Sequence, residues 1–162
     1  MESTRLHHLK PSLKWAVSAY LLLSILGFAV AALISHDRYA WDHQQTAVYY
    51  LGDEAQMAYP KPFGSLIQAA HVHSFSMPLV FGALWLALNW VPLGEGWKKA
   101  FVLGGTVSVL LYNGAPFMVR YVSAHWVALF TWGGVGLFVF YVIPALLALW
   151  EIWFGWGEKG RP

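Results

Sequence analysis

Five of the seven histidines in this chain fall beside the same-side ends of its hydrophobic segments. They are His36, His43, His71, His73 and His125. Imidazole is the side chain that haem iron and copper most often use as a ligand in proteins. If the hydrophobic segments cross a membrane in alternating directions, all five histidines lie at one level near one face of it. The cluster therefore predicts a cofactor site at that face.

Four stretches without charge indicate that the chain crosses a membrane four times. The 162 residues are 58% hydrophobic and only 11% charged, whereas soluble domains average about 25% charged residues. The stretches that lack Asp, Glu, Lys and Arg are 15–36, 62–94, 100–119 and 121–150. Each is as long as the roughly 20 residues that span a hydrocarbon core. An unpaired charge at the bilayer centre costs about 3 kcal/mol or more, which explains such stretches.

The predicted fold is all-α. A four-transmembrane-helix bundle with up-down-up-down topology would occupy the whole chain, 1–162, as a single integral membrane domain. The helices are expected over about 12–35, 66–91, 99–119 and 124–154. A long aromatic loop, 37–64, joins the first two helices, and Asp42 is expected to cap a short helix within it. Ser65 and Gln68 form a capping box that predicts the start of the second membrane helix.

Basic residues predict which side of the bundle faces the cytoplasm. Seven lie beside the helix ends of one side: Arg5, Lys10, Lys14, Lys98, Lys99, Lys159 and Arg161. Only Arg38, Lys61 and Arg120 fall on the other side. Both termini should therefore be cytoplasmic in a multi-pass protein of the bacterial inner membrane, with the histidines outside. The net charge of +2 needs no nucleic-acid partner. The lack of cysteine excludes disulfides, iron–sulfur ligation and covalent c-type haem.

Helix geometry separates the two histidines of the second membrane helix. His71 and His73 are two residues apart, so on a regular helix their side chains point about 200° away from each other. At most one of them faces the interior of the bundle. His73 shares a helix face with Met77, and His71 shares the opposite face with Phe75.

A haem b near the outer face is the favoured cofactor. His73 and His125 are the predicted axial ligands of its iron, with His71 or His36 as substitutes. Arginine binds carboxylates through a planar fork, so Arg120 is expected near a propionate. The other basic residues available to the propionates are Arg38 and Lys61. The glycines at 133, 134 and 136 would let a flat macrocycle approach the fourth membrane helix.

Other interpretations of the histidines remain open. A quinone pocket at the outer side is the alternative to haem b. The sequence His71-x-His73 with Met77 offers imidazole and thioether ligands that suit copper, although a helix holds such a pair poorly on one metal. Without any cofactor, the histidines would simply occupy the wet membrane interface. The chain would then be a structural accessory subunit that packs beside a larger membrane complex.

Two short segments carry a resemblance to known proteins. His71-Val-His73-Ser-Phe-Ser-Met77-Pro78 and Arg120-Tyr121-Val122-Ser123 resemble small bacterial four-helix integral membrane proteins of unassigned role. More loosely, the four helices with outward histidines look like the b-type cytochrome anchors of respiratory oxidoreductases. That resemblance implies a non-catalytic subunit of a respiratory or photosynthetic electron-transfer complex. Such a subunit contacts lipid and other membrane subunits and exchanges electrons with quinone, but these anchors carry their ligands deeper in the membrane.

Overall fold

Five α-helices and no strand make up residues 5–156, the part of the chain that the computed structural model describes. The helices are α1 (Pro11–Tyr39), α2 (His43–Leu51), α3 (Phe63–Leu88), α4 (Glu95–Tyr121) and α5 (Val127–Phe154). Single 3-10 turns lie at Leu6–His8, Glu54–Gln56 and Ala124–Trp126. Lys159 and Arg161, which contribute to the predicted orientation, lie outside the described residues.

Four of the helices are long and apolar enough to cross a membrane. The spans are Pro11–Arg38, Phe63–Leu88, Glu95–Tyr121 and Ala124–Phe154. Many large apolar side chains on these spans face outward, as contact with lipid requires, and Leu23, Leu79 and Leu110 are among them. The predicted all-α bundle of four transmembrane helices is therefore confirmed, and the chain is an integral, multi-pass membrane protein.

α5 is the central helix of the bundle, and α4 packs most extensively against it. Two glycines of α5 permit this close approach. A Cβ at Gly133 would lie 2.7 Å from the Tyr112 backbone nitrogen, and one at Gly136 would collide with Ser108. The bundle core includes the fully buried Phe81 and Tyr141. α1 is the most peripheral span, since it packs mainly on α5 and α2.

The helix ends extend beyond the predicted boundaries. α1 continues to Tyr39 rather than to about 35, and α4 begins at Glu95 rather than at about 99. Charge-free length measures only the hydrocarbon core, and a helix continues beyond it wherever polar residues can hold regular turns in the headgroup layer. The fourth span begins with a 3-10 turn, and Ser123 accepts a hydrogen bond from the His125 N–H at 3.3 Å.

The predicted capping box of the second membrane helix is wrong. α3 begins at Phe63 and ends at Leu88, instead of running over about 66–91, and no side chain caps its first turn. Pro62 stands at the N-cap with a φ of −70°. The Phe63 ring packs near the rings of Phe117 and Tyr121 on α4, at 6.2 and 6.3 Å between centroids. These aromatic contacts fix the first turn earlier in the chain, which leaves Ser65 inside the helix.

The connection between α1 and α3 folds back over the membrane helices. Asp42 caps α2 as predicted, since its Oδ1 accepts the Gln45 N–H at 2.8 Å. Gly52 then ends α2 with a φ of +81°, and a Cβ there would lie 2.6 Å from the Ala58 carbonyl oxygen. α2 packs on α1, α4 and α5. We call this part of the molecule, residues 36–66 with 112–131, the loop end.

The N-terminal segment closes the opposite end of the bundle, which we call the terminal end. Leu6 is buried there, and its N–H donates to the Trp90 carbonyl at 3.3 Å. The Arg5 Nε lies 3.3 Å from Oε1 of Glu151, whose side chain is 0% exposed. Arg5 also donates from Nη2 to the Trp156 carbonyl at 2.7 Å. Residues 5–9 are thus fastened to the last turn of α5.

Candidate functional site

The structure separates His71 and His73, as the helix period requires. His73 is half-buried on α3, and its ring centroid lies 6.2 Å from that of Tyr112 on α4. His71 is exposed and packs its ring against Phe75, 5.0 Å away. His73 and Met77 line the same cavity, so the face that contains them turns inward. His73 is the histidine of this pair that can act inside the bundle.

An apolar cavity of about 540 Å³ lies beside His73. All four spans contribute to its wall, since Phe28, Met77, Tyr112 and Phe138 belong to α1, α3, α4 and α5 in turn. The wall offers few polar groups, and those of His73, Tyr112 and Thr131 are among them. A large apolar space with a few polar groups is typical of a site for a small apolar or amphipathic molecule.

The α2 region covers the cavity at the loop end. Trp41 and Thr46 belong to its wall. The His43 Nε2 lies 3.0 Å from the Thr131 Oγ1, within hydrogen-bonding distance, so the start of α2 is tied to α5 beside the opening. The His43 side chain is exposed, but its Nε2 contacts Thr131 at the edge of the cavity.

Tyr112 is the site residue that the sequence did not reveal. Its ring stacks on Phe130 with centroids 4.6 Å apart and planes inclined by 26°. Its phenol shares a hydrogen bond with Ser35. Within an apolar stretch of α4, Tyr112 looks like one more lipid-facing aromatic residue. A polar-tipped ring beside Asn113, well inside a span, was the available signal.

A second, more polar cavity of about 160 Å³ adjoins the first. The two share His73, Tyr112 and Phe130 in their walls. The smaller one also contains the basic side chains of Arg38 and Lys61. Further polar side chains in its wall are Tyr49, Tyr50, Ser65 and Asn113. We call these two spaces the apolar cavity and the polar cavity.

The other predicted ligands are not part of the wall of either cavity. His36 is exposed, and its ring packs against Trp41 with centroids 4.9 Å apart. His125 is exposed within the 3-10 turn that precedes α5. Neither His36 nor His125 belongs to the wall of either cavity. The structure therefore does not bring His125 to His73, and in residues 5–156 it contains no group of three or more His, Cys, Asp or Glu that could hold a metal ion.

Arg120 supports the loop end from outside the cavities. Its Nε donates to the Lys61 carbonyl at 3.1 Å, and its guanidinium carbon lies 5.2 Å from the centroid of the Tyr121 ring. This contact holds the last part of the α1–α3 connection onto α4.

Of the three glycines proposed to face a macrocycle, Gly134 lines the apolar cavity, whereas Gly133 and Gly136 pack against α4.

Comparison with known families agrees with the architecture. A family model described as a transmembrane helical domain matches residues 40–160, which is more than half of the chain. The match includes α2, α3, α4 and α5, and with them His73 and Tyr112. No curated protein and no solved structure matches the chain.

Proposed function

This chain belongs to the Aq_1264_TM family of transmembrane helical domains, and we propose that it is a quinone-binding membrane subunit of an electron-transfer complex. The quinone ring would lie beside His73 and Tyr112, and the isoprenoid tail would occupy the apolar cavity. The subunit would lie in a bacterial inner membrane with its loop end outward, as the distribution of basic residues favours.

The observation that carries this proposal is the position of His73 and Tyr112 where the two cavities meet. A quinone combines a long apolar tail with a ring whose two carbonyl oxygens accept hydrogen bonds. A neutral imidazole donates from one ring nitrogen, and a phenol donates from its hydroxyl. The site therefore offers donors at one edge of a mostly apolar cavity, which is the arrangement that such a molecule needs.

The geometry favours a quinone over the predicted haem b. A haem b held by two histidines, as predicted, would need a second histidine beside the cavity in addition to His73. Among the described residues, no other histidine belongs to the cavity wall. Similarly, His71 and His73 point to different surroundings, which gives less support to a shared copper ion.

Replacing His73 with leucine should weaken quinone binding by about tenfold, which corresponds to about 1.4 kcal/mol. The substitution keeps an apolar side chain of moderate size but removes the ring nitrogens. Binding is measured on the purified chain in detergent by titration with a short-chain ubiquinone, followed through quenching of tryptophan fluorescence. Trp41 in the cavity wall makes that signal sensitive to the site.

His71→Leu is the matched control, because it makes the same replacement two residues away on the exposed face. It should leave the affinity unchanged. Equal affinities for all three proteins, or no binding by the wild type, would refute the quinone site and favour the accessory-subunit alternative. A Soret band after incubation with haem that disappears in His73→Leu would instead support haem b. Metal analysis of the same sample tests for copper.

Filling the apolar cavity should also weaken quinone binding. Ala31 on α1 lines this cavity. A tryptophan in its place would occupy the space that we assign to the isoprenoid tail. We expect Ala31→Trp to reduce the affinity for a long-tailed quinone by at least about tenfold, since the tail contributes most of the buried apolar area. Ala29→Trp on the same helix adds the same bulk outside the cavity wall and should bind normally. If both variants bind like the wild type, the tail does not lie there.

A further inference from the structure

The basic residues of the loop end converge on one place, although they are far apart in the sequence. Arg38 lies in the last turn of α1, Lys61 precedes α3, and Arg120 lies in the last turn of α4. Arg38 and Lys61 both belong to the wall of the polar cavity. Arg120 holds the Lys61 carbonyl from the other side, at 3.1 Å. Within the described residues, these are the lysines and arginines of the loop end.

The acidic residues of the loop end are not part of the wall of the polar cavity. Asp42 caps α2 through the Gln45 N–H. Asp53 accepts from the Ala55 N–H at 2.9 Å and from a neighbouring glutamine. Asp37 and Glu54 are exposed. No carboxylate belongs to the described wall of the polar cavity. The positive charge of Arg38 and Lys61 therefore meets no counter-charge inside it.

The remaining wall suits an oxyanion. Tyr49, Tyr50 and Ser65 contribute side chains with hydroxyl groups, and the Lys61 ammonium lies 4.1 Å from the centroid of the Tyr49 ring. The cavity of about 160 Å³ has room for several water molecules or one small anion. Like-signed charges in a cleft with low-dielectric walls focus the field and attract an opposite charge.

We propose that the polar cavity binds the phosphate group of an anionic phospholipid from the leaflet at the loop end. A lipid fits better than a soluble anion because the cavity lies at the ends of the membrane spans. Apolar side chains such as Leu66, Ala69 and Phe117 form part of its wall. Arg38 would hold the phosphate through its guanidinium fork, and Lys61 would supply a second positive charge. This site goes beyond the proposed function, because it needs no quinone.

Lipid binding is measured on the purified full chain by native mass spectrometry, with phosphatidylglycerol or phosphatidylcholine added in turn. We expect the wild type to retain phosphatidylglycerol preferentially and Lys61→Gln to lose about tenfold in affinity, the effect of one charge-assisted hydrogen bond. Lys61→Arg should keep most of the binding. Lys99→Gln removes one exposed positive charge at the terminal end and should bind like the wild type.

Equal retention of the two lipids, or equal losses in Lys61→Gln and Lys99→Gln, would overturn the proposal. Displacement of phosphatidylglycerol by inorganic phosphate at low concentration would assign the cavity to a soluble anion and would overturn the lipid assignment. Circular dichroism shows whether each variant is folded. The quinone titration is carried out without added phospholipid, so failure of one site can be distinguished from failure of the other.

Discussion

Replacing Arg5 with alanine should lower the free energy of unfolding by roughly 3–5 kcal/mol, the usual effect of breaking a buried ion pair. The Glu151 side chain is 0% exposed, and Arg5 is the cation 3.3 Å from it. Without Arg5, the carboxylate keeps the hydrogen bond from the Trp156 N–H at 2.7 Å but loses its counter-charge. Unfolding is followed by circular dichroism as sodium dodecyl sulfate is added to the protein in mild detergent.

Lys98→Ala provides the comparison at the same end of the bundle. Lys98 pairs with Glu95 at 3.1 Å, but the Glu95 side chain is 74% exposed. An exposed pair of this kind contributes about 0–1 kcal/mol. The double variant Arg5→Ala with Glu151→Gln should regain part of the lost stability, because no buried charge then remains. If Arg5→Ala and Lys98→Ala destabilise equally, the Arg5–Glu151 pair is not an important contact.

The substitution Gly133→Ala adds a single methyl group. It should destabilise the bundle by about 1–3 kcal/mol, because it overpacks a tight interface between helices. The new Cβ would lie 2.7 Å from the Tyr112 nitrogen and 3.0 Å from its Cα. Both atoms belong to the α4 backbone, which cannot move aside as the end of a side chain can. The same detergent titration measures the effect, and Tyr112 would shift with the backbone, so quinone affinity should fall as well.

Gly114→Ala is the matched control for Gly133→Ala. Gly114 lies in α4, and a Cβ there meets nothing within 4 Å. Alanine has a higher helix propensity than glycine by about 1 kcal/mol, so this variant should be as stable as the wild type or more stable. A loss of stability at Gly114 similar to that at Gly133 would show that helix propensity and not helix packing determines the result.

Membrane spans could be predicted from this sequence because the cost of a charge in hydrocarbon is large and local. A charge-free run such as 121–150 therefore indicates a membrane span without knowledge of any other segment. The helix ends could not be predicted equally well. They depend on contacts between distant residues, such as those of the Phe63 ring with Phe117 and Tyr121, which replaced the expected capping box of α3.

The residues of the candidate site could be predicted from the sequence only in part. The sequence alone predicts that the side chains of His71 and His73 point in different directions, because the two residues are two positions apart on a helix. The position of each residue around the bundle depends instead on which helices become neighbours. The packing of α3 on α4 brings Tyr112 to His73, while the 3-10 turn at Ala124–Trp126 leaves His125 exposed. Residues on different helices that share a depth can therefore face different surroundings.

Counting charges along the sequence did not predict that Glu151 is the most buried charged residue among residues 5–156. Glu151 directly follows the last charge-free stretch, so it marks a span boundary in the sequence. Its partner Arg5 belongs to the group of basic residues from which the orientation is predicted. Only the folded bundle shows that these two residues form a pair.

The fastening of residues 5–9 to the end of α5 has a consequence for the order of events on the ribosome. Arg5 and Leu6 precede all four spans, but Glu151 and Trp156, to which Arg5 binds, are synthesised only after the first three spans have been made. The contact joins distant parts of the chain and so forms late. A nascent chain that stalls before α5 inserts lacks Glu151, so Arg5 cannot form this ion pair and the terminal end of the bundle stays open until synthesis is nearly complete.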